Sequence, residues 1–423
     1  MSSTTEANAL AGGLATLEAR GFVQQCTDRE GLARELAARP ITFYVGLDPT
    51  AGSLHAGHMV PIYAAAHLAK AGHRPIILIG GGTAQIGDPS GKTEMRRMLT
   101  TEQIDAYAAR IEEQIRRFLA TQGVEATFVN NAQWLRTLNY IEFLRDIGRH
   151  FSVNRMLSFE SYKIRLETGL SFIEFNYQLL QSFDFLTLFR EHGCELQIGG
   201  DDQWGNIVAG ADLIRRVEGA DTFGLTFPLV TRADGKKMGK SEEGAVFLDP
   251  ELFRPYDFFQ YWRNVPDADV EKLLLLYTFL PEDECRRLGA LQGEEINQAK
   301  EILAKELTTL VHGPDEAKRA LDAARAAFQG SAAAAGSAEA IPETPVPAPT
   351  LSGGIAAVDL FSMTDLCASK GEARRLIQQG GARVNDRKVE SIDAVIDDGW
   401  LEDGVLLLRA GKKRYHRVRP EVS

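Results

Sequence analysis

Short apolar runs recur through the first part of the chain, and each is followed by a longer stretch in which apolar residues return every third or fourth position. The runs are Ile41 to Val45, Ile76 to Ile79, Ala126 to Val129, Leu196 to Ile198 and Phe223 to Val230. Such runs predict buried strands, whereas the wider spacing predicts helices. Their alternation predicts an α/β domain, a parallel sheet with helices on both faces. Before Ile41 the pattern predicts one or two amphipathic helices, with Leu17, Phe22, Val23, Leu32 and Leu36 as apolar points. Trp134 to Arg190 predicts helices inserted between strands, crowded with Ile141, Phe143, Leu144, Ile147, Phe151, Phe172, Ile173 and Phe175. From Pro255 to about Phe328 the pattern is wholly helical. Gly330 to Thr350, rich in Ala, Gly, Ser and Pro, has too little apolar bulk to fold and predicts a linker.

Composition adds bounds. A chain of 423 residues is long enough for two or three domains. The formal charge of −11 would argue against a nucleic-acid partner if it were evenly spread. It is not, because Arg409, Lys412, Lys413, Arg414, Arg417 and Arg419 face only Glu421 near the C-terminus. Cys26, Cys194, Cys285 and Cys367 are isolated in sequence, without Cys-x-x-Cys or His at ligand spacing. Zinc and disulfide frameworks are not expected, which fits a reducing cytoplasm. Met1 to Arg20 lacks the basic start and apolar centre of an export signal, and no stretch has the length and apolarity of a membrane span.

Two segments carry the chemistry. In the first, the run ending at Val45 passes through Gly46-Leu47-Asp48-Pro49-Thr50 and then His55-Ala56-Gly57-His58 before a helical pattern begins at Met59. A strand, loop and helix in that order put backbone N–H groups and a helix dipole at the carboxyl edge of a sheet, where phosphate binds well. Gly57 would let a flat nucleotide lie against the backbone, and the imidazoles can donate to phosphate and ribose oxygens. Alone, His-x-Gly-His also suits a metal half-site or a surface pair. The second is the basic, Gly-containing Lys236-Lys237-Met238-Gly239-Lys240-Ser241 after the Phe223 run. Two other glycine clusters do not qualify. Gly80-Gly81-Gly82 does not continue as Gly-x-Gly-x-x-Gly. Gly87 to Thr93 is one residue short of a P-loop, and Pro89 blocks its cradle of N–H groups.

Together the two segments resemble the paired signatures of class I aminoacyl-tRNA synthetases, and the residues between them are similar to the bacterial-type tyrosyl-tRNA synthetases. The resemblance runs from about Phe43 to the C-terminus, through Ile86-Gly87-Asp88-Pro89-Ser90-Gly91, Gln197-Ile198-Gly199-Gly200 and Asp202-Gln203-Trp204-Gly205-Asn206. It implies a Rossmann-like parallel-sheet catalytic domain over residues 1–252, with a dimer-forming helical insertion at about 134–190. After it come a helical tRNA-binding domain over 253–329, a linker over 330–352 and a small S4-like α+β RNA-binding domain over 353–423. The implied activity is two-step: tyrosine and ATP give tyrosyl-adenylate, and the tyrosyl group then passes to the 3′ end of tRNA(Tyr). ATP enters as substrate with Mg²⁺, with no protein-bound metal or organic cofactor. L-tyrosine, ATP, tRNA(Tyr) and a second copy of the chain are the implied partners, in the cytoplasm and without a membrane.

The resemblance also implies roles for residues. Thr50, His55, His58, Lys237, Lys240 and Ser241 match the catalytic positions that hold phosphates, with Lys92 and Arg96 as further contacts. Gly46, Asp48, Gly57, His58, Gly200 and Asp202 would face the nucleotide. Asp88, Tyr177, Gln181 and Gln203 would surround the ammonium and carboxylate of the amino acid. Tyr44 and Asp184 would grip its phenol. A site built to hydrogen-bond a hydroxyl rejects the analogue lacking it, a rule for which tyrosyl-tRNA synthetases are themselves the worked case. Lys370, Arg374, Arg375, Arg383, Lys412, Lys413 and Arg414 would meet RNA. Read alone, Tyr44 is a core aromatic, Asp184 a surface acid, and the basic helix near Arg374 a solvated face. Val45, where many members have Cys, and Asp201, where a small polar residue is more usual, depart from the family and bear on nucleotide affinity. The competing readings are tryptophan activation on the same fold, an idle RNA-binding paralogue, and a small-molecule adenylyltransferase. Tyr44 with Asp184 opposes the first, and the intact His55, His58, Lys237 and Lys240 oppose the second. The third would not need the C-terminal module.

Overall fold

The computed structural model describes residues 2–90, 98–231, 233, 238–239, 244–328, 341–364, 366–411 and 414–421. The chain divides into two compact units, Met1–Asp249 with Pro266–Ala290, and Pro250–Val265 with Leu291–Ser423.

The first unit is built on strands β1 (Gln25–Cys26), β2 (Thr42–Leu47), β3 (Arg74–Ile79), β4 (Thr127–Asn130), β5 (Cys194–Gly200) and β6 (Phe223–Phe227). They form a six-stranded sheet in the order β1-β6-β5-β2-β3-β4. β2 to β6 are parallel, as the alternation of apolar runs predicts. β6 stops at Phe227, short of the predicted Val230. β1 was not predicted, since two residues pairing antiparallel with β6 leave no periodic signal. Phe43, Tyr44, Val45, Ile77, Ile79, Leu196, Ile198, Leu225 and Phe227 are all buried. Burying a side chain of that size stabilises by about 1.5–3 kcal/mol. From β2 the chain winds outward through β3 and β4, then returns to place β5 and β6 on the other side. The order therefore reverses between β2 and β5, and a crevice opens there at the carboxyl ends of the strands.

The helix Phe172–His192 runs beside that crevice. Ser171 and Glu174 close its N-terminus as a reciprocal capping box, and Gly193, with φ of 60°, closes the other end in the left-handed conformation. Tyr177, Gln181 and Asp184 stand four and three residues apart, so they share one face. Its first turn is tied down by a buried ion pair, Arg165 Nη2 to Glu174 Oε1 at 3.0 Å, with both side chains under 4% exposed at 2% and 3%. Arg165 also donates to Thr168 Oγ1 and the Gly169 carbonyl.

The helical stretch after Pro255 is shared between the units. Val270–Tyr277 and Glu282–Gly289 belong to the first, where Val270–Tyr277 packs on the helix Met59–Lys70. Buried Arg20 caps that end, donating to the carbonyls of Leu275, Thr278 and Leu280. In the second unit the helices Pro255–Arg263, Ile296–His312 and Pro314–Phe328 pack together.

The C-terminal part holds β7 (Glu343–Pro347), β8 (Ile355–Ala356), β9 (Ala382–Val384), β10 (Arg387–Lys388), β11 (Val395–Ile396), β12 (Leu406–Ala410) and β13 (Arg414–Glu421). Five of these form a sheet in the order β10-β9-β12-β13-β7, and β11 pairs with β8. Residues 343–352 were expected in the linker, yet Glu343–Pro347 is a strand parallel to β13 and Ala348–Ser352 a short helix. The reason is positional. β7 lies at the sheet's edge, where proline's missing N–H costs no ladder bond. Val384-Asn385-Asp386-Arg387 turns the β9–β10 hairpin with φ of 47° and 59° at its centre.

The buried ion pair gives a stability prediction. Arg165→Met strands the Glu174 carboxylate and should cost about 3–5 kcal/mol of unfolding free energy in urea denaturation. Adding Glu174→Gln should recover part of that loss.

Candidate active site

The sequence-predicted residues converge on the carboxyl edges of β2, β3 and β5. Gly46 is exposed within an otherwise buried part of β2, and Asp48 and Thr50 follow it. The His55–His58 signature forms a short 3-10 helix, Ala56–His58, opening the helix Met59–Lys70. Its two histidines cap it reciprocally: His55 Nδ1 accepts from Gly57 N at 3.0 Å, and His58 Nδ1 accepts from His55 N at 3.3 Å. Their rings stack with centroids 3.7 Å apart. With both Nδ1 atoms accepting from backbone, each neutral imidazole carries its proton on Nε2 and presents a donor there.

The second signature comes to the first through Gly239. Met238 N donates to the Val230 carbonyl, Val246 N to Gly239 O, and Ala56 N to Val246 O at 2.9 Å. Gly239 has φ of 83°, and a Cβ on it would fall 2.7 Å from Gly57 N. The glycine is therefore required twice over, by conformation and by closeness. Lys236, Lys237, Lys240 and Ser241, with Lys92 and Arg96, lie outside the described residues.

Deeper in the crevice, two groups of polar side chains are held together. In one, Gln203 Nε2 donates to Asp88 Oδ2 at 2.6 Å, Gln181 Nε2 donates to Gln203 Oε1 at 3.2 Å, and Ser90 N donates to Asp88 Oδ1 at 2.9 Å. In the other, Tyr177 Oη donates to Asp48 Oδ2 at 2.9 Å and Thr83 Oγ1 to Asp48 Oδ1 at 2.7 Å. Asp184 is 1% exposed, which rules out the surface-acid alternative. It accepts from Asn131 Nδ2 at 2.8 Å and Trp134 Nε1 at 2.7 Å. Burial pushes its carboxyl up to about 8 against the pull of those two donors, and the charge of Asp48 adds to the rise. Tyr44 is also buried, and its hydroxyl has no hydrogen-bond partner among the described residues. Burial, and then Asp184, hold its phenol well above its ordinary pKa. An orphaned hydroxyl beside a buried acceptor is the arrangement expected where a ligand supplies the missing group.

Asp202 and Gly200 stand at the end of β5, at the same edge. Asp201, whose acidity departs from the family pattern, accepts from Gln25 Nε2 at 2.7 Å and Thr226 Oγ1 at 2.9 Å. Its carboxylate ties β1 to β6. Among the described residues no group of three or more His, Cys, Asp or Glu is placed to hold a metal ion, and no helix is long and apolar enough to cross a membrane. All four cysteines are free thiols.

The basic residues of the C-terminal part are distributed over a helix and a sheet. Lys370, Arg374 and Arg375 lie on the helix Lys370–Gln378, capped by Ser369, and Lys370 pairs with Asp359 at 2.7 Å. Arg383 sits on β9, donating to the Asp386 carbonyl at 2.7 Å. Arg414 begins β13, and Lys412 and Lys413 lie outside the described residues.

A family model described as tRNA synthetases class I (W and Y) matches residues 36–329, and one described as Tyrosine–tRNA ligase SYY-like C-terminal domain matches residues 339–418. Tyrosine–tRNA ligase of Treponema denticola is 57% identical over 406 residues, 96% of this chain and 98% of that protein. That of Treponema pallidum is 58% identical over 410 residues, 97% of this chain and 98% of that protein. The chain belongs to the tyrosine–tRNA ligase family of class I tRNA synthetases. Among solved structures, a C-terminally truncated mitochondrial tyrosyl-tRNA synthetase from Aspergillus nidulans superposes with a TM-score of 0.68 at 29% identity. It covers 75% of this chain, and 97% of that one is matched.

Within this family member the sequence reading missed Thr83, Asn131 and Trp134, which bind Asp48 and Asp184. A signal was present. Asn130 and Asn131 end the β4 run and Thr83 follows β3, so all three stand at the edge where such sheets bind ligands.

Asp184 gives a pH prediction. An unfolded aspartate ionises at about 4, whereas Asp184 keeps its proton in the fold up to about 8. Between those values the native state holds the extra proton, so stability falls as pH rises. Asp184→Asn removes the titration. Its unfolding free energy should gain on the unsubstituted chain by up to about 1.4 kcal/mol per pH unit across that window, then level off. Urea denaturation at pH 5 and pH 8 reads the difference.

Proposed function

We propose that the chain activates L-tyrosine with ATP and transfers the tyrosyl group to the 3′ end of tRNA(Tyr). The observation that carries this reading is Tyr44 with Asp184, a buried hydroxyl that no described residue partners and a buried carboxyl group whose charge it feels. A phenol would complete both. Phenylalanine would leave the Tyr44 hydroxyl desolvated and unpaired and bring Asp184 no group to meet, and indole has no hydroxyl to offer.

In the first step an oxygen of the tyrosine carboxylate attacks the α-phosphorus of ATP. A carboxylate oxygen–phosphorus bond forms, giving a mixed anhydride, the bond from the α-phosphorus to the bridging oxygen breaks, and pyrophosphate leaves with the electron pair. The nucleophile belongs to the substrate, so catalysis consists of alignment and of stabilising charge on the departing phosphates. Tyr177, Gln181 and Asp88 hold the ammonium, with Gln203 orienting the carboxylate. Gly46 suits the nucleotide's floor. A Cβ there would meet only Leu78 and Tyr44 side-chain atoms at 3.7 and 4.0 Å, so the fold itself leaves room for a side chain and the bareness serves a ligand. Gly57, His58, Gly200, Asp202 and Asp48 face ribose and adenine. The Nε2 donors of His55 and His58, the Thr50 hydroxyl, and Lys92, Arg96, Lys237, Lys240 and Ser241 serve the phosphates. Mg²⁺ comes in with the nucleotide, held by its phosphates, since Asp48 and Asp88 are already engaged by protein donors. In the second step a terminal ribose hydroxyl of tRNA attacks the activated carbonyl and AMP leaves.

The C-terminal part supports RNA binding through Lys370, Arg374, Arg375, Arg383, Lys412, Lys413 and Arg414, as an S4-like module set after the residues read as a linker. Work of this kind belongs to the cytoplasm. The helical insertion supports a homodimer: Ile141 is 69% and Phe172 68% exposed, with Tyr140, Val153, Ile164 and Leu166 also open. A second copy is the occupant that such a patch fits.

Amino-acid-dependent exchange of labelled pyrophosphate into ATP tests the reading. Tyrosine should support exchange, phenylalanine and tryptophan should not, and Asp184→Ala should narrow the tyrosine preference about tenfold, the cost of one buried hydrogen bond. Exchange with tryptophan alone would transfer the assignment to the other branch of the fold. For the dimer, Ile141→Glu with Phe172→Glu should convert the protein to a monomer in sedimentation analysis. A dimer that persists would move the interface elsewhere.

A further inference from the structure

Asn131 is fully buried, and all of its polar valences are used. Its Oδ1 accepts from Gly82 N at 2.7 Å. Because a backbone N–H can only donate, that bond fixes which end of the amide is oxygen. Nδ2 is then left to donate twice, to Asp184 Oδ2 at 2.8 Å and to Thr83 Oγ1 at 2.9 Å. Having accepted that bond, the Thr83 hydroxyl passes its own proton to Asp48 Oδ1 at 2.7 Å. Tyr177 takes the other oxygen of Asp48. A single amide thus connects Asp184 with Asp48, the carboxylate read above as facing the nucleotide, and every bond along the way has its direction set.

We propose that Asn131 and Thr83 are positioning residues that hold Asp184 and Asp48 as one unit, so that tyrosine recognition and ATP use share a buried amide. The inference rests on the tyrosine-activating reading above. It goes further by giving the link two arms that can be cut separately. Of the two carboxyl groups, Trp134 donates to Asp184 and Thr83 to Asp48, whereas Asn131 donates to Asp184 directly and reaches Asp48 through Thr83. A residue that merely fills the core would change stability and leave substrate constants alone. A positioning residue changes the constants of the arm it serves. Aiming a carboxyl group depends on the direction of its donors, and an acceptor turned away from its ligand loses most of the bond even at unchanged distance.

The test is pyrophosphate exchange on the full chain and on Trp134→Phe, Thr83→Val, Thr83→Ser and Asn131→Ala, with thermal unfolding of each. KM for ATP and the ratio of kcat/KM for tyrosine to that for phenylalanine are measured separately. Trp134→Phe should lower the tyrosine preference about tenfold, leaving KM for ATP within twofold. Thr83→Val, which keeps the shape and removes the hydroxyl, should raise KM for ATP about tenfold and leave the preference within twofold, and Thr83→Ser should restore it. Asn131→Ala should move both. Thr83→Val with unchanged KM for ATP overturns the proposal, even if Asn131→Ala fails to fold. Loss of tyrosine preference in Thr83→Val equal to that in Trp134→Phe overturns it as well. Absence of tyrosine-dependent exchange in the unsubstituted chain would remove this proposal and the reading beneath it together, whereas normal exchange with inert variants removes this one alone.

Discussion

A carboxyl group beyond the reach of water must either be held by donors or give up its charge, and Asp184 is caught between the two. Burial drives it toward the neutral form, while Asn131 and Trp134 draw it back. Much of the crevice follows from that conflict. The amide must come from the carboxyl edge of β4, so the β4 run has to end within reach of the helix Phe172–His192. That helix must in turn present Asp184 inward along with Tyr177 and Gln181, which its turn spacing achieves. The Arg165–Glu174 pair fixes its first turn, although replacing such a pair by apolar residues often costs nothing. Its value here is geometric, because a helix free to rotate would turn all three side chains from the crevice at once.

The upper part of the crevice obeys a different constraint, the closeness of two backbones. Gly57 and Gly239 come so near that a Cβ on Gly239 would fall 2.7 Å from Gly57 N, while a Cβ on Gly57 would meet the His55 ring at 2.9 Å and the Met238 carbonyl at 3.2 Å. The two signatures stand far apart in sequence, and they meet through ladder-like bonds from Ala56 to Val246 and from Val246 to Gly239. The imidazoles themselves are committed by their Nδ1 atoms to the backbone, which fixes their tautomers before any ligand arrives.

What the chain's pattern made legible was whatever repeats or clusters. β2 to β6 are apolar runs and were read as strands, and the sheet's carboxyl edge followed as the place for chemistry. β1 was invisible because two residues carry no period. β7 was read as linker because Glu-Thr-Pro-Val-Pro looks unfit for a strand, and only its edge position makes it one. Asn131 and Thr83 escaped for a further reason. An amide and a hydroxyl are common loop residues, and what distinguishes these two is the direction of their hydrogen bonds, which depends on partners roughly fifty and thirty-five positions away. Asp201 shows the reverse case. Its acidity suggested an effect on the nucleotide, and it proves to brace β1 against β6.

A reaction whose nucleophile is supplied by the substrate leaves the protein little to do except place things. No serine or cysteine needs activating, so no single residue announces the chemistry, and each candidate taken alone has an ordinary reading. The information lies in relative position: an unpartnered Tyr44 hydroxyl near a buried acid, a bare Gly46 beneath open space, a glycine pressed on a glycine. Where alignment is the catalytic device, groups that never touch the substrate acquire leverage, because an error in the aim of a group that does is passed directly to the reacting atoms. Asn131, Thr83 and Asn206 are hydrogen-bonded in this supporting way, to Asp184, Asp48 and Gln203.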